Sequence, residues 1–220
     1  MRSNGEKAGR ALIQNKHTKA WEGEQLNALT MATLLCNVDN TAWSLGAPRQ
    51  GKFVATFPLR LGEGLAAIQL VPGDSREISI PFPPSTFQGD GDEPRQSLTL
   101  NIPDEIFLTF ATLEDAVREL LRPSHANIDD LWHSALRQAS SYPAQLRVKV
   151  NLSGSREVQV FNEADQRIDT PTNWKGLEVV PIVSLACFVQ SKTAGLIVDL
   201  VALKVLGKRQ VEQPEWSFLP

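Results

Sequence analysis

The chain has 220 residues, of which 42% are hydrophobic and 21% charged, with 14 glycines and 14 prolines. This composition excludes a collagen-like chain and a disordered one, because the apolar content is high enough to form a core. The formal charge of -3 also excludes a global polycation, so any contact with nucleic acid must use a local basic surface.

The sequence predicts a soluble protein of the cytoplasm or nucleus that does not enter a membrane. Residues 1–25 lack the apolar core of a secretory signal. The apolar stretch 177–206 is interrupted by Pro181 and by charged residues, which is not the pattern of a membrane helix. The two cysteines, Cys36 and Cys187, lie far apart, which is typical of a reducing compartment rather than of a disulfide scaffold.

The N-terminal part begins with a basic segment and continues with short strands. Residues 1–20 carry a net charge of +4 and little apolar periodicity, which predicts a mobile basic arm. Glycine and proline then break the chain every eight to twelve residues, which is typical of all-β structure. Strands are predicted at 24–38, where a helix also fits the spacing, and at 52–59, 65–71, 76–82 and 96–102. The Pro-, Gly- and Asp-rich stretch 81–94 is predicted to be a long exposed loop.

Two helices are predicted in the middle of the chain. Thr112 and Asp115 have the spacing of a capping box, and the apolar residues that follow have helical spacing up to Arg122. A second helix is predicted from Asn127, as its cap, to the break at 140–143.

The C-terminal part is predicted to return to strands. Residues 145–152 alternate strictly between apolar and polar side chains, and 157–161 is the predicted hairpin partner. The long apolar runs 177–189 and 194–206 form a second predicted hairpin around the tip 191–193.

These elements predict a β-dominated α+β fold. One β-rich domain spans 21–209, and it consists of an N-terminal β part (24–102), helices (112–140) and C-terminal strands (145–206). The strands form one barrel or two packed antiparallel sheets, with the two short helices inserted between the halves. An acidic and aromatic tail, 210–220, follows the domain.

No motif of catalysis or metal binding is present in the sequence. There is no Gly-x-Ser-x-Gly elbow and no Cys-x-x-Cys or Cys/His cluster. Gly62 and Gly64 lack the lysine of a phosphate-binding loop, and the acidic run 90–93 lacks calcium-loop spacing. His133, beside Trp132, is typical of a helix surface. We therefore predict a protein that is not an enzyme and that has no metal or other cofactor.

The distribution of charge is more informative than any motif. Residues 101–130 contain seven acids and two arginines, a net charge of -5. Residues 131–209 contain ten bases and six acids, a net charge of +4. The helical insert is therefore acidic, and the C-terminal strands are locally basic.

Several basic and aromatic side chains fall on the C-terminal strands and their turns. Arg147 and Lys149 share the face of one strand opposite its apolar residues. The others at strand ends and turns are Arg156, Phe161, Trp174, Lys175 and Lys192. Cations that follow phosphates and rings that stack on bases are what a single-stranded nucleic acid needs. Alternatively, the cations occupy a solvated sheet face and the aromatic residues belong to the core.

The C-terminal half resembles a known family in the order of its elements. A helix, the run 146–150, a turn, 158–161, Trp174-Lys175-Gly176 and the long hairpin 179–206 resemble the C-terminal half of single-stranded DNA-binding proteins of large DNA viruses and some phages. The resemblance covers about residues 125–207. It implies an oligonucleotide-binding (OB) β-barrel. The binding residues that it implies are Arg147, Lys149, Trp174, Lys175, Phe188 and Lys192.

The leading hypothesis is sequence-independent, non-enzymatic binding of single-stranded DNA or RNA. The alternative is a structural or scaffold subunit of a virion or another assembly, in which the arm, the Pro-rich loop and the tail make contacts between subunits, so that a homo-oligomer forms. Glu215, Trp216 and Phe218 in the tail are predicted to contact a protein partner.

Overall fold

The computed structural model describes residues 32–39, 42–51, 53–62, 64–65, 67–86, 94–139 and 142–208. The predicted basic arm, residues 87–93 of the predicted loop and the predicted tail lie outside these ranges. Within them the strands are β1 (Thr33–Leu34), β2 (Trp43–Leu45), β3 (Arg49–Gln50), β4 (Ala55–Leu61), β5 (Gly64–Leu65), β6 (Ala67–Gln69), β7 (Arg95–Asn101), β8 (Trp132–His133), β9 (Leu136–Ala139), β10 (Tyr142–Asn151), β11 (Gln159–Phe161), β12 (Arg167–Ile168), β13 (Leu177–Val189) and β14 (Ala194–Lys208). The helices are α1 (Asp104–Leu121), α2 (Ile128–Leu131) and a 3-10 helix at Leu35–Asn37. The predicted β-dominated α+β fold is confirmed.

The long hairpin of β13 and β14 is the centre of the sheet. The two strands pair antiparallel from Leu177 opposite Lys208 to Val189 opposite Ala194. Gln190 donates its backbone N–H to the carbonyl of Thr193 at 2.8 Å and closes the tip. The hairpin predicted at 177–189 and 194–206 is therefore confirmed.

Strand β10 lies beside this hairpin and alternates in burial along its length. Leu146, Val148 and Val150 are fully buried, whereas the residues between them are only partly buried. The predicted strand 145–152 is confirmed and begins three residues earlier, at Tyr142. Burying each of these aliphatic side chains contributes about 1.5–3 kcal/mol, which fixes the face that remains for solvent.

The hairpin partner predicted for β10 is wrong. Strand β11 pairs with β12 and, in parallel, with β14, and it does not pair with β10. The physical reason is that both edges of β10 already have partners, since β7 lies along one edge and β9 and β14 lie along the other.

The sheet runs in the order β1, β6, β13, β14, β10, β7. Residues 78–80 lie between the end strand β7 and β13, because Ser79 bridges both Asn101 and Glu178. Hydrogen bonds from Ser79 to Asn101 and from Val179 to Ile78 belong to these two contacts. The strand predicted at 76–82 is wrong as a regular strand, since its pairing is confined to these single bridges. The named strands form an open sheet.

The other N-terminal predictions are met with shifted ends. The predicted strand 52–59 corresponds to β4, 65–71 to β5 and β6, and 96–102 to β7. Of the run 24–38, residues 32–38 are described, and they form the short strand β1 followed by the 3-10 helix.

Helix α1 begins eight residues before the predicted capping box. Asp104 and Glu105 occupy its first turn after Pro103. Their carboxylates stabilise the helix there, because they lie near the positive end of the helix dipole. Thr112 is inside the helix, where its hydroxyl donates to the carbonyl of Leu108 at 3.0 Å instead of capping. The predicted start is therefore wrong, and the predicted end near Arg122 is confirmed.

The second predicted helix is wrong beyond its first turn. Helix α2 ends at Leu131, and Trp132 and His133 then pair in parallel with Ala194 and Gly195 of β14. The buried carboxylate of Glu114 holds this corner, since it accepts hydrogen bonds from the backbone of Ala135 at 2.8 Å and from Trp132 Nε1 at 3.3 Å. Pairing with distant strands therefore overrides the helical spacing of this segment.

The core lies between the inward faces of the sheet and α1. Helix α1 buries Phe110, Leu113, Val117 and Leu121 against β10, β9 and β2. In the described ranges no helix is both long and apolar enough to cross a membrane. Cys36 is exposed, Cys187 is buried, and both are free thiols.

Candidate nucleic-acid interface

The outward side of β7, β9 and β10 carries a group of cations that we call the basic face. It is formed by Arg95, Arg137, Arg147 and Lys149, together with the hydroxyl of Ser97. Strand alternation produces it, because the neighbours of Arg147 and Lys149 in sequence point into the core.

The register of β7 and β10 brings the two predicted cations to a single oxygen. Lys149 lies directly opposite Ser97, and Arg147 lies opposite Thr99. Lys149 Nζ donates to Ser97 Oγ at 2.8 Å, and Arg147 Nη2 donates to the same atom at 3.1 Å. Two positive groups therefore meet at a neutral hydroxyl.

The ammonium group of Lys149 has an unfavourable environment for its charge. Partial burial lowers its pKa below the ordinary value for lysine, and the positive charges of Arg147 and Arg95 lower it further. Asp199 opposes this shift, but it is bound to Arg95 at 2.5 Å. An anion placed here would relieve the repulsion between the cations.

A groove of about 320 Å³ lies along the basic face. Arg137, Arg147 and Gln145 line it together with Ser97 and Thr99. Its remaining wall is the segment 82–85, which pairs with β7 where Ser85 bridges Ser97. The groove therefore offers guanidinium groups, hydroxyls and an amide to a ligand.

Phe82 is the aromatic residue of this groove. Its side chain is 59% exposed and stands between Pro81 and Pro83, beside the lining residues of β7 and β10. An exposed ring next to guanidinium groups is suited to stacking on a nucleobase, since every base offers a π face.

The other predicted binding residues are not gathered at this groove. Phe161 lies level with Lys204 of β14, whereas Lys192 precedes Ala194 at the opposite end of that strand. Ala194 and Lys204 are therefore about 33 Å apart along β14, at about 3.3 Å per residue, and Phe161 and Lys192 lie near these opposite ends. Arg156 and Lys175 are exposed in turns, as is Lys192.

The remaining predicted aromatic side chains are partly or wholly covered. Trp174 is 4% exposed, so its ring belongs to the core and is not presented to a base. Phe188 and Phe161 are half-buried. The ring of Phe188 lies over Gly195 of the neighbouring strand, where a Cβ atom would come within 3.2 Å of it.

Sequence reasoning missed Phe82, Ser97 and Arg137 as members of the site. Arg137 falls within the second predicted helix, whereas the structure places it on β9 opposite Gln145. Ser97 gives no local signal, because its role depends on the register with β10. Phe82 did give one: a large apolar residue enclosed by prolines in a segment predicted to be exposed.

The helical unit of α1 and α2 carries the acidic charge that the sequence predicted for 101–130. Asp129 accepts hydrogen bonds from Arg118 at 3.0 Å and from Arg122 at 2.9 Å. Arg118 also pairs with Asp115, and Arg122 with Glu119. Arg122 in particular holds the pKa of Asp129 below its ordinary value. Among the residues that the structure describes, no group of three or more His, Cys, Asp or Glu side chains could hold a metal ion.

Comparison of the sequence with protein-family models and with curated proteins finds no match. The structure, however, is similar to solved structures of single-stranded DNA-binding proteins from phages. The resemblance to this class that the sequence predicted is confirmed at the level of the fold.

One of these structures is gp2.5, a single-stranded DNA-binding protein encoded by bacteriophage T7. Its TM-score is 0.50 at 11% identity, over 69% of this chain and 92% of that chain. The single-stranded DNA-binding protein of bacteriophage Enc34 gives 0.45 at 14% identity, over 75% and 95% of the two chains as a C-terminal truncation. Its complex with single-stranded DNA gives 0.43 at 13% identity, over 78% and 98%. The similarity to gp2.5 shows that the two chains share a fold.

Proposed function

We propose that this protein binds single-stranded DNA through the basic face, without catalysis and without reading the base sequence. The observation that carries the proposal is the convergence of Arg147 and Lys149 on Ser97. Ser97 and Arg147 also line an open groove together with the exposed ring of Phe82. The phosphates of a DNA strand are the same whatever its base sequence, and an aromatic ring stacks on any base. The cations and the ring of Phe82 would therefore give affinity without base specificity.

The fold supports this proposal. T7 gp2.5, which shares the fold, is a single-stranded DNA-binding protein. We also propose that residues 78–80 complete a small barrel of the OB type with β7, β10, β14 and β13. The bridges from Ser79 to β7 and β13 support this closure. In OB folds the second and third strands form the oligonucleotide-binding face. In the proposed barrel, β7 and β10 are the second and third strands in chain order, after residues 78–80.

The test is equilibrium binding of fluorescent oligothymidylate to the intact protein at several salt concentrations. Replacing both cations, Arg147→Gln with Lys149→Gln, should weaken binding about thirtyfold or more, because two charge-assisted contacts are lost. The log-log slope of affinity against salt should become shallower by about 0.7 for each phosphate contact that the double variant loses.

The matched control is Arg49→Gln with Arg60→Gln, two exposed arginines on β3 and β4. It removes the same charge from strands outside the basic face. We expect its affinity and its slope to follow the parent, apart from a small long-range effect at low salt. Equal losses in both double variants would show that net charge, not this face, governs binding.

The scaffold alternative is tested by sedimentation of the protein without nucleic acid. The arm and the tail on which it rests lie outside the described residues. A discrete assembly that does not bind oligothymidylate would support a structural subunit, whereas a species that binds it in a salt-dependent way would support the first proposal. An oligouridylate of the same length compares RNA with DNA.

A further inference from the structure

Ser97 has an incomplete set of hydrogen bonds within the described part of the chain. A serine hydroxyl has two acceptor lone pairs and one hydrogen to donate. Both hydrogen bonds of this hydroxyl to described residues are accepted ones, from Arg147 and from Lys149. None of the described residues accepts the hydrogen of this hydroxyl, so the hydroxyl is able to donate it to a ligand.

We propose that Ser97, Arg147 and Lys149 together form an oxyanion site that takes one phosphate group. This inference rests on the proposed function, and it identifies the ligand of the site as a backbone phosphate of the bound strand. The hydroxyl of Ser97 donates a hydrogen bond to an oxygen of the phosphate. The ammonium and guanidinium groups give N–H donors that are not engaged with Ser97.

The backbone around Ser97 holds the site in shape before a ligand arrives. Ser97 exchanges both backbone hydrogen bonds with Ser85, at 2.9 and 2.8 Å. On its other side it is paired with Lys149 in the ladder of β7 and β10. Since the hydroxyl sits on a strand supported from both edges, little ordering is needed on binding.

Ser97 therefore acts as a positioning residue for two cations and also as a donor in its own right. Removal of its hydroxyl leaves the positive charge of the site unchanged. The number of neutralised phosphates, and with it the salt dependence of binding, should then stay the same while affinity falls. This separates the role of Ser97 from that of Arg147 and Lys149.

The experiment compares Ser97→Ala, Ser97→Thr and the parent in oligothymidylate binding. Ser97→Ala should weaken binding about tenfold or more, as expected for a hydrogen bond to a charged group, with the parental salt slope. Ser97→Thr retains the hydroxyl and should restore most of the affinity. Ser44→Ala, an exposed serine on β2, is the control and should bind as the parent does.

In a second experiment, inorganic phosphate competes with the oligonucleotide for the protein. Chloride at the same ionic strength is the control. Phosphate should displace the oligonucleotide from the parent at a lower concentration than from Ser97→Ala. Parental affinity in Ser97→Ala, or failure of Ser97→Thr to restore a loss, would overturn the phosphate site while leaving the proposed function intact. If the parent binds inorganic phosphate through Ser97 but binds no oligonucleotide, the proposed function fails, and with it the assignment of a backbone phosphate.

Discussion

The basic face and the helical unit of α1 and α2 use their charges in opposite ways. In the helical unit each arginine is paired with carboxylates of the same unit, and Asp129 is shared by Arg118 and Arg122. On the basic face, Arg147 and Lys149 meet at a serine. The first arrangement joins two helices, whereas the second leaves positive charge for an outside anion. Charge count alone does not separate these two roles, because pairing decides which charges are available.

The largest expected effect comes from giving the basic face an internal anion. Ser97→Asp places a carboxylate where the two cations converge, so that the face becomes paired in the manner of the helical unit. We expect oligothymidylate affinity to fall about thirtyfold or more, while the melting temperature stays at or above that of the parent. Affinity close to that of the parent would show that these cations do not contact the strand.

The aromatic wall of the groove is expected to give the next largest effect. Phe82→Ala removes a stacking surface worth about 1–3 kcal/mol per base, so affinity should fall about tenfold with an unchanged salt slope. Phe53→Ala is the control, since Phe53 is also exposed but precedes β4. Equal losses in the two variants would argue against a specific role for Phe82.

The lowered pKa of Lys149 predicts a pH dependence that the helical unit does not share. Lys149 attracts phosphate only while its ammonium group is protonated, so oligonucleotide affinity should fall severalfold as the pH rises toward about 10.4, the ordinary lysine value. The reason is that Lys149 loses its proton below that value. Lys149→Arg should keep its affinity over this range. Oligodeoxycytidylate is the suitable probe, since cytosine has no imide proton to lose.

The tail supplies a prediction that rests on sequence alone. If the acidic and aromatic segment competes with nucleic acid for the basic face, deletion of 212–220 should strengthen oligothymidylate binding about two- to fivefold at low salt. A melting temperature lowered by several degrees with unchanged affinity would instead place Trp216 and Phe218 in the core.

The smallest effect is expected from opening the paired unit. Asp129→Asn removes the carboxylate that Arg118 and Arg122 share. Because exposed ion pairs contribute little, we expect the melting temperature to fall by about 2–4 °C, with DNA affinity unchanged. Weaker binding in this variant would contradict the separation of the two regions.

The strands that the sequence predicts correctly are those whose own residues carry a clear pattern of apolar and polar side chains. The alternation of 145–152 and the long apolar runs of β13 and β14 specify half-buried or buried strands by themselves, and Arg147 and Lys149 follow from that alternation. The segment 128–136 carries helical spacing, yet the helix ends at Leu131, because Trp132 and His133 pair with β14 and the carboxylate of Glu114 binds the backbone of Ala135. Only tertiary pairing decides such a segment.

The candidate site could be predicted only in part, because it also depends on the pairing of distant strands. The face of β10 could be predicted, but its partner Ser97 depends on a cross-strand register that no local pattern encodes. Trp174 was predicted as a binding residue from its neighbour Lys175, whereas the structure buries its indole ring. An aromatic residue beside a cation therefore does not by itself distinguish a stacking platform from a core residue.

The pairing of β14 with β10 also bears on the order of folding. The ion pair between Arg95 and Asp199 joins residues 104 positions apart, and β14 supplies the parallel neighbour of β10. Topologies dominated by such distant contacts fold slowly, because long loops must close before the contacts form. Until β14 has emerged from the ribosome, β10 lacks its parallel neighbour and Arg95 lacks its ion-pair partner, so we expect the basic face to take its final form late in synthesis.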